Sequence, residues 1–222
     1  MQQDIQELIY KIKLDKDFKI LVHDYQNEVG YIKPILYSDL DNDNLIEKLK
    51  TWRNSNISAY LDQTPATFEG TRRWLENNVL NNKSKILFLV YTHQNQPIGH
   101  IGLADGLSTE SLVEIDNIVR GVKVGQKGST SLALFELISW VFLFTSTSRV
   151  YLRVFSDNHR AISVYENLRF THKDKQPLRK SIDEGIIKYE FLKSDESSDL
   201  YFSYMELERN DHFNNYENLK NF

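Results

Sequence analysis

Apolar residues recur at two spacings along this chain, and the switches between them outline its elements. Ile5, Leu8, Ile9 and Ile12 fall at helical spacing and predict a short amphipathic helix over 4–13. Phe18–Val22 and Tyr31–Leu36 read as strands, with Gly30 suited to the turn between them. Pro34 places the second of these at an edge or a bulge. After Ser38 and Asp39, the positions of Leu45, Ile46, Leu49 and Trp52 turn helical. A further helix is expected over 67–79, with capping residues at its start and Trp74, Leu75 and Val79 on its inner face. Lys85–Tyr91 is a strongly apolar strand, His93–Pro97 is turn chemistry, and Ile98–Leu103 pairs back as a hairpin.

The strand Leu112–Val119 alternates. Leu112, Glu114, Asp116 and Ile118 fall on one face; Val113, Ile115, Asn117 and Val119 fall on the other. Three glycines, Gly121, Gly125 and Gly128, then lie within eight residues, ahead of an apolar helix from about Thr130 to Phe144. That run is shorter than the ~18–20 residues a membrane span needs, and Glu136 interrupts it, so a buried helix is expected. Val150–Phe155 reads as a strand, Arg160–Leu168 as a helix, and Ile186–Leu192 and Leu200–Leu207 as two more strands. His172–Lys180 reads as a basic, solvated loop, and 209–222 as a polar, loosely held tail.

Composition narrows the chemistry. With 41% apolar and 26% charged residues in 222, the chain suits one compact globular domain. It has no cysteine, which excludes disulfides, a cysteine nucleophile and cysteine-based metal sites. No metal site is expected. A net charge of −4 argues against a nucleic-acid partner. The start Met1–Glu7 lacks the basic and apolar segments of a signal peptide, so a cytoplasmic location without membrane attachment is expected.

A glycine-rich turn between a strand and a helix directs backbone N–H groups and a helix N-terminus at one point, which attracts phosphate. This loop is neither common nucleotide pattern: Lys127-Gly128-Ser129 has the wrong order for a P-loop, and a dinucleotide fingerprint belongs near a first parallel strand. Further on, the segment from Ser156 to Phe170 contains Asn158, Ala161, Tyr165 and Phe170 in sequence. Strand, loop, helix, strand and this motif together resemble the GNAT superfamily of acyl-coenzyme A-dependent N-acetyltransferases, over residues 112–170 and more loosely over 35–207. The family's loop carries a Gln or Arg where this chain has Gly125, while Gly128 matches its key glycine and Thr130 replaces its last small residue.

The resemblance implies an α+β, three-layer α/β/α fold: a mostly antiparallel central sheet with helices on both faces and a splayed strand pair at the acyl-coenzyme A site. It implies a 31–208 acetyltransferase domain, with 1–30 as an extension of helix plus strand and 209–222 as a tail. It implies acetyl-coenzyme A as co-substrate, bound by backbone groups of Asn117, Ile118 and Val119, by the loop Gly125, Gln126, Lys127, Gly128, Ser129 and Thr130, and by Asn158. Tyr165 matches the tyrosine that protonates the departing thiolate. Amine acetylation also needs a base. Glu114, Asp116 and His100 are the candidates, with a water chain as the alternative. Trp52, Arg53 and Asn54 are similar to a Trp-Arg-Asn segment of amino-sugar acetyltransferases, and a related pattern occurs in the ribosomal-protein branch. The expected acceptor is a small-molecule amine such as a nucleotide-linked amino sugar, taken by a monomer or homodimer. A protein or peptide N-terminal acetyltransferase and a non-catalytic coenzyme A-binding protein remain open.

Overall fold

The computed structural model describes residues 4–105, 111–193 and 196–219. The first helix, α1 (Ile5–Leu14), is capped by Asp4, whose side chain accepts from the N–H groups of Gln6 and Glu7. Next come β1 (Ile20–Asp24), β2 (Asn27–Pro34), α2 (Asp43–Ser55) and α3 (Phe68–Trp74). The last runs on as a π-helical turn, Leu75–Leu80. The hairpin β3 (Lys85–Thr92) and β4 (Pro97–Asp105) leads into β5 (Leu112–Arg120), α4 (Ser129–Phe144), β6 (Arg149–Phe155) and α5 (His159–Asn167). The chain closes with β7 (Thr171–Asp183), β8 (Ile186–Phe191), β9 (Tyr201–Glu208) and α6 (Arg209–Leu219).

The strands form one sheet in the order β1-β2-β3-β4-β5-β6-β9-β7-β8. Every pairing is antiparallel except β5 with β6. Two apolar clusters cover its faces. One joins Ile9 and Ile12 of α1 and the inner residues of α4 to Phe88, Ile101, Val113, Ile115, Leu152 and Met205. The other joins Leu45, Ile46, Leu49 and Trp52 of α2 and Leu75 and Val79 to Leu87, Leu89 and Val119. The expected three-layer fold is the one observed. Helix α4 is apolar nearly all round because it is buried. Its one acid, Glu136, meets His23 of β1 at 3.3 Å. Among the described residues, no helix is long and apolar enough to cross a membrane.

The segment ahead of β2 holds a helix and a strand, α1 and β1, and α1 packs into the main core. Three sequence expectations need correction. The basic stretch after α5 is strand, not loop. β7 runs through Thr171–Asp183 and pairs with β9 and then β8, but all its residues except Pro177 and Leu178 are exposed, so it shows no apolar alternation. The tail begins as helix α6, anchored at its start by His212 and Arg209. His212 is 1% exposed and bonds Ser139 at 2.7 Å, while Arg209 donates to the carbonyls of Thr145 (2.8 Å) and Thr147 (3.0 Å).

The third correction is in β5. Asn117 and Ile118 together stand opposite the single residue Ile101, and Asn117 adopts φ 48°. This β-bulge swaps the alternation beyond it. Val119 joins the α2 cluster, and Ile118 leans toward the α4 cluster, the reverse of the expected faces.

Candidate functional site

The parallel pairing of β5 with β6 covers Leu112, Val113 and Glu114 against Arg149, Val150 and Tyr151. Beyond Glu114 the two strands continue to Arg120 and Phe155, respectively, without pairing each other. This splay exposes the β6-facing edge of Asn117, Ile118 and Val119, an edge of backbone donors and acceptors open to a ligand. The expected pantetheine-binding residues therefore lie at the gap.

The loop beyond β5 leads to the N-terminus of α4. Gly128 is the residue preceding the helix, at φ 86°, and supplies no capping side chain; Ser129 N–H bonds the Gln126 carbonyl at 3.2 Å, and the N–H groups that follow have no side-chain cap. Gly125 also has positive φ, 82°. Ser129 turns its hydroxyl inward, donating to the Gln126 carbonyl at 2.6 Å, and the Gln126 side chain is tied to Asp24. A helix start of this kind, with a 16-residue helix behind it, suits a pyrophosphate, so the residues present fit coenzyme A. Lys123 and Lys127 are exposed beside it. Gly121 is needed for another reason: a Cβ there would strike the ring of Trp52. Trp52 thus props the loop from below and is 3% exposed.

On α5, Asn158 caps the helix, its side chain accepting from Ala161 N–H at 3.2 Å. Tyr165 packs near Phe170 on the α4 side of the sheet and is 8% exposed. Burial pushes its hydroxyl up to about 12, so it stays protonated at neutral pH.

Glu114 and Asp116 are on the face of the sheet opposite Tyr165. Glu114 accepts from Arg153 Nε (2.9 Å), Arg153 Nη2 (2.7 Å) and the Tyr151 hydroxyl (3.2 Å). Asp116 accepts from one side-chain donor, Lys85 Nζ at 2.9 Å, and lies over Gly102, where a Cβ would collide with its carboxylate. His100 does not join them. It is 3% exposed, and its Nδ1 lies 2.7 Å from the Asn117 carbonyl. A carbonyl only accepts, so Nδ1 carries the proton, and burial pushes the ring down to about 4. His100 holds the bulge.

Arg53 and Asn54 also act on their own backbone. Asn54 donates to the Ala66 carbonyl (2.9 Å) and accepts from Ala66 N–H (2.7 Å). Arg53 Nη2 donates to the Asp62 carbonyl at 3.0 Å, and the guanidinium lies 4.3 Å from the Tyr60 ring centre. These contacts fasten a strap, residues 57–66, whose far side is bonded to β8: Gln63 N–H to the Ile187 carbonyl (2.9 Å) and Tyr189 N–H to the Leu61 carbonyl (2.8 Å). The β8 arm itself curls over the sheet, bringing Tyr189 to 5.0 Å from Phe155 of β6.

The strap and arm therefore border the face that carries Glu114 and Asp116. Sequence reasoning missed much of this face: Tyr60, Lys85, Arg149, Tyr151, Arg153, Tyr204 and Glu206. Tyr151 and Tyr204 have ring centres 4.9 Å apart, and Glu206 accepts from Tyr204 and pairs with Arg149. The signal was present as alternation, since Arg149, Tyr151 and Arg153 interleave with buried Val150, Leu152 and Val154. Among the described residues, no group of acids and histidines is placed to hold a metal.

Comparison with known proteins agrees with this geometry. The family model described as an acetyltransferase (GNAT) domain matches residues 25–171. Spermidine N-acetyltransferase from Vibrio cholerae, solved with CoA and spermine, is similar in fold: TM-score 0.62, 15% identity, over 84% of this chain and 99% of that one. So is FdhC, a nucleotide-linked sugar GNAT (TM-score 0.63, 13% identity, 90% and 96% covered). RimL, a ribosomal L7/L12 alpha-N-protein acetyltransferase in complex with coenzyme A, gives TM-score 0.64 and 15% identity, with 88% and 99% covered. No curated protein matches the chain.

Proposed function

The chain belongs to the GNAT acetyltransferase family, and from that premise we propose that its acceptor is a small-molecule amine, such as a nucleotide-linked amino sugar. As a family member it is an acetyl-coenzyme A-dependent N-acetyltransferase that acts on amines. The observation that favours a small acceptor is the strap. Backbone hydrogen bonds from Leu61 and Gln63 to β8 border the acceptor face with continuous chain, and a folded protein surface fits such an enclosure poorly. The likeness in fold to a nucleotide-linked sugar acetyltransferase agrees with this choice.

In this reading the donor and acceptor approach from opposite faces and meet at the splay. The α4 N-terminus and the edge of Asn117–Val119 hold the coenzyme, with Asn158 shaping the start of α5 beside it. The amine attacks the thioester carbonyl, an amide bond forms and the carbon–sulfur bond breaks. Asp116 takes the proton lost by the amine, directly or through water, because only Lys85 among side-chain donors engages it. Three donors occupy three of the roughly four acceptor positions of Glu114, so it orients Arg153 and Tyr151 instead. Tyr165, protonated at neutral pH, gives its proton to the leaving thiolate. Holding the two substrates together supplies much of the rate.

The test is an acceptor panel assayed with acetyl-coenzyme A: nucleotide-linked amino sugars, polyamines, and a peptide and a folded protein with free N-termini. Turnover of the small amines with little on the folded protein supports the reading. Preferred turnover of the folded protein contradicts it.

A further inference from the structure

Arg53 is tied on two sides and unpartnered on a third. Its plane lies against Tyr60, and its Nη2 is spent on the Asp62 carbonyl. Its Nη1 is buried and meets no partner among the described residues. A buried charged donor left unpaired is costly, and such groups in folded proteins ordinarily have a partner.

The nearby acids are engaged elsewhere. Asp62 turns its carboxylate to the N–H (2.9 Å) and hydroxyl (2.5 Å) of Thr64. Asp116 pairs with Lys85, Glu114 with Arg153 and Glu206 with Arg149. Those last three acids each have a base, and Asp62, whose charge also acts on Arg53, spends its carboxylate on Thr64, so Nη1 is left without a bonded partner among the described residues. Its position also ties it to the reacting face. Tyr60 feels both Arg53, which lowers its hydroxyl pKa, and Asp116, which raises it, within a net upward shift caused first by burial. Tyr60 therefore lies within electrostatic reach of both Arg53 and Asp116.

We propose that Arg53 is the receptor for an oxyanion of the acceptor, a phosphate or a carboxylate, so that the substrate carries an acidic group as well as the amine presented to Asp116. This rests on the acetyltransferase reading and narrows its substrate class. A guanidinium suits the task because it is always charged and its planar N–H groups match an oxyanion.

Matched amines test it: glucosamine 6-phosphate against glucosamine for phosphate, and lysine against cadaverine for carboxylate. The wild-type protein is expected to favour at least one anionic member by about 10-fold or more in kcat/KM, the scale of one charge-assisted hydrogen bond. Arg53→Gln is expected to erase that preference through KM, with the anionic member losing about 10 times more than its neutral match. Arg53→Lys should restore part of it. Asn54→Ala, which loosens the strap without removing charge, should affect both members of a pair alike. Equal losses for both members in Arg53→Gln would reduce Arg53 to a strap anchor and overturn the proposal, as would a wild-type protein with no preference in either pair. A titration with inorganic pyrophosphate, with the coenzyme site saturated by coenzyme A, separates this from the transfer reading. If no amine is acetylated, that reading fails, while weaker pyrophosphate binding in Arg53→Gln still supports the oxyanion site and unchanged binding still overturns it.

Discussion

The proposed coenzyme side and the proposed acceptor side of this protein are built by different means. The coenzyme side is made of backbone: a bulge at Asn117, two glycines at positive φ and an uncapped helix start. The acceptor side is made of side chains that meet across the sheet: Glu114 with Arg153, Asp116 with Lys85, Arg149 with Glu206, and Arg53 with the strap. Backbone sites of the first kind accept any ligand with the right phosphate and amide geometry. Side-chain sites of the second kind change with a few substitutions, so one scaffold can serve several acceptors. Proteins similar in fold include polyamine, sugar and protein acetyltransferases.

The largest effects should come where the two sides meet. Asp116→Asn and Tyr165→Phe are each expected to lower kcat about 10²-fold or more, the usual worth of an acid or base, with the KM for acetyl-coenzyme A within about 2-fold. Glu114→Gln should instead act on acceptor KM by loosening Arg153. If Glu114→Gln lowers kcat as much as Asp116→Asn, the roles of the two carboxylates are reversed.

A smaller effect is expected from pH, and on the fold rather than on either site. Burial pushes His100 and His212 down from 6.5 to about 4. Between those values the unfolded chain binds more protons than the folded one, so stability is full above pH 6.5 and falls as pH drops toward 4. Each histidine should remove about 1 kcal/mol by pH 5.5. Urea midpoints at pH 7.5 and 5.5 measure the loss, and His212→Gln should shrink it. A midpoint unchanged between these pH values would show that the buried histidines do not titrate in this way.

The same division decides what the sequence reveals. Gly121, Gly125 and Gly128 stand together because one loop needs them, and Asn158, Ala161 and Tyr165 follow the turn of one helix, so local spacing exposes them. The strand and helix order was legible for the same reason, as was the burial of α4. The acceptor face was not legible, because its partners come together only through register: Lys85 and Asp116 are 31 positions apart, and Arg153 and Glu114 are 39 apart. The bulge defeated simple alternation in β5, since no glycine or proline marks Asn117. β7 hid as a loop because most of its residues face solvent, and α6 hid because one histidine carries much of its anchoring.

The account depends most on the coenzyme loop, and acetyl-coenzyme A binding tests it directly. Calorimetric titration of the wild-type protein should give saturable binding, and ligand at about 100 times its Kd should add nearly 3 kcal/mol to stability. Gly128→Val should bind about 10-fold more weakly. A side chain there meets open space, yet its φ of 86° strains any residue but glycine by ~1–2 kcal/mol. Equal affinity in the two proteins, or no saturable binding to the wild type, would contradict the placement of the coenzyme on the loop before α4.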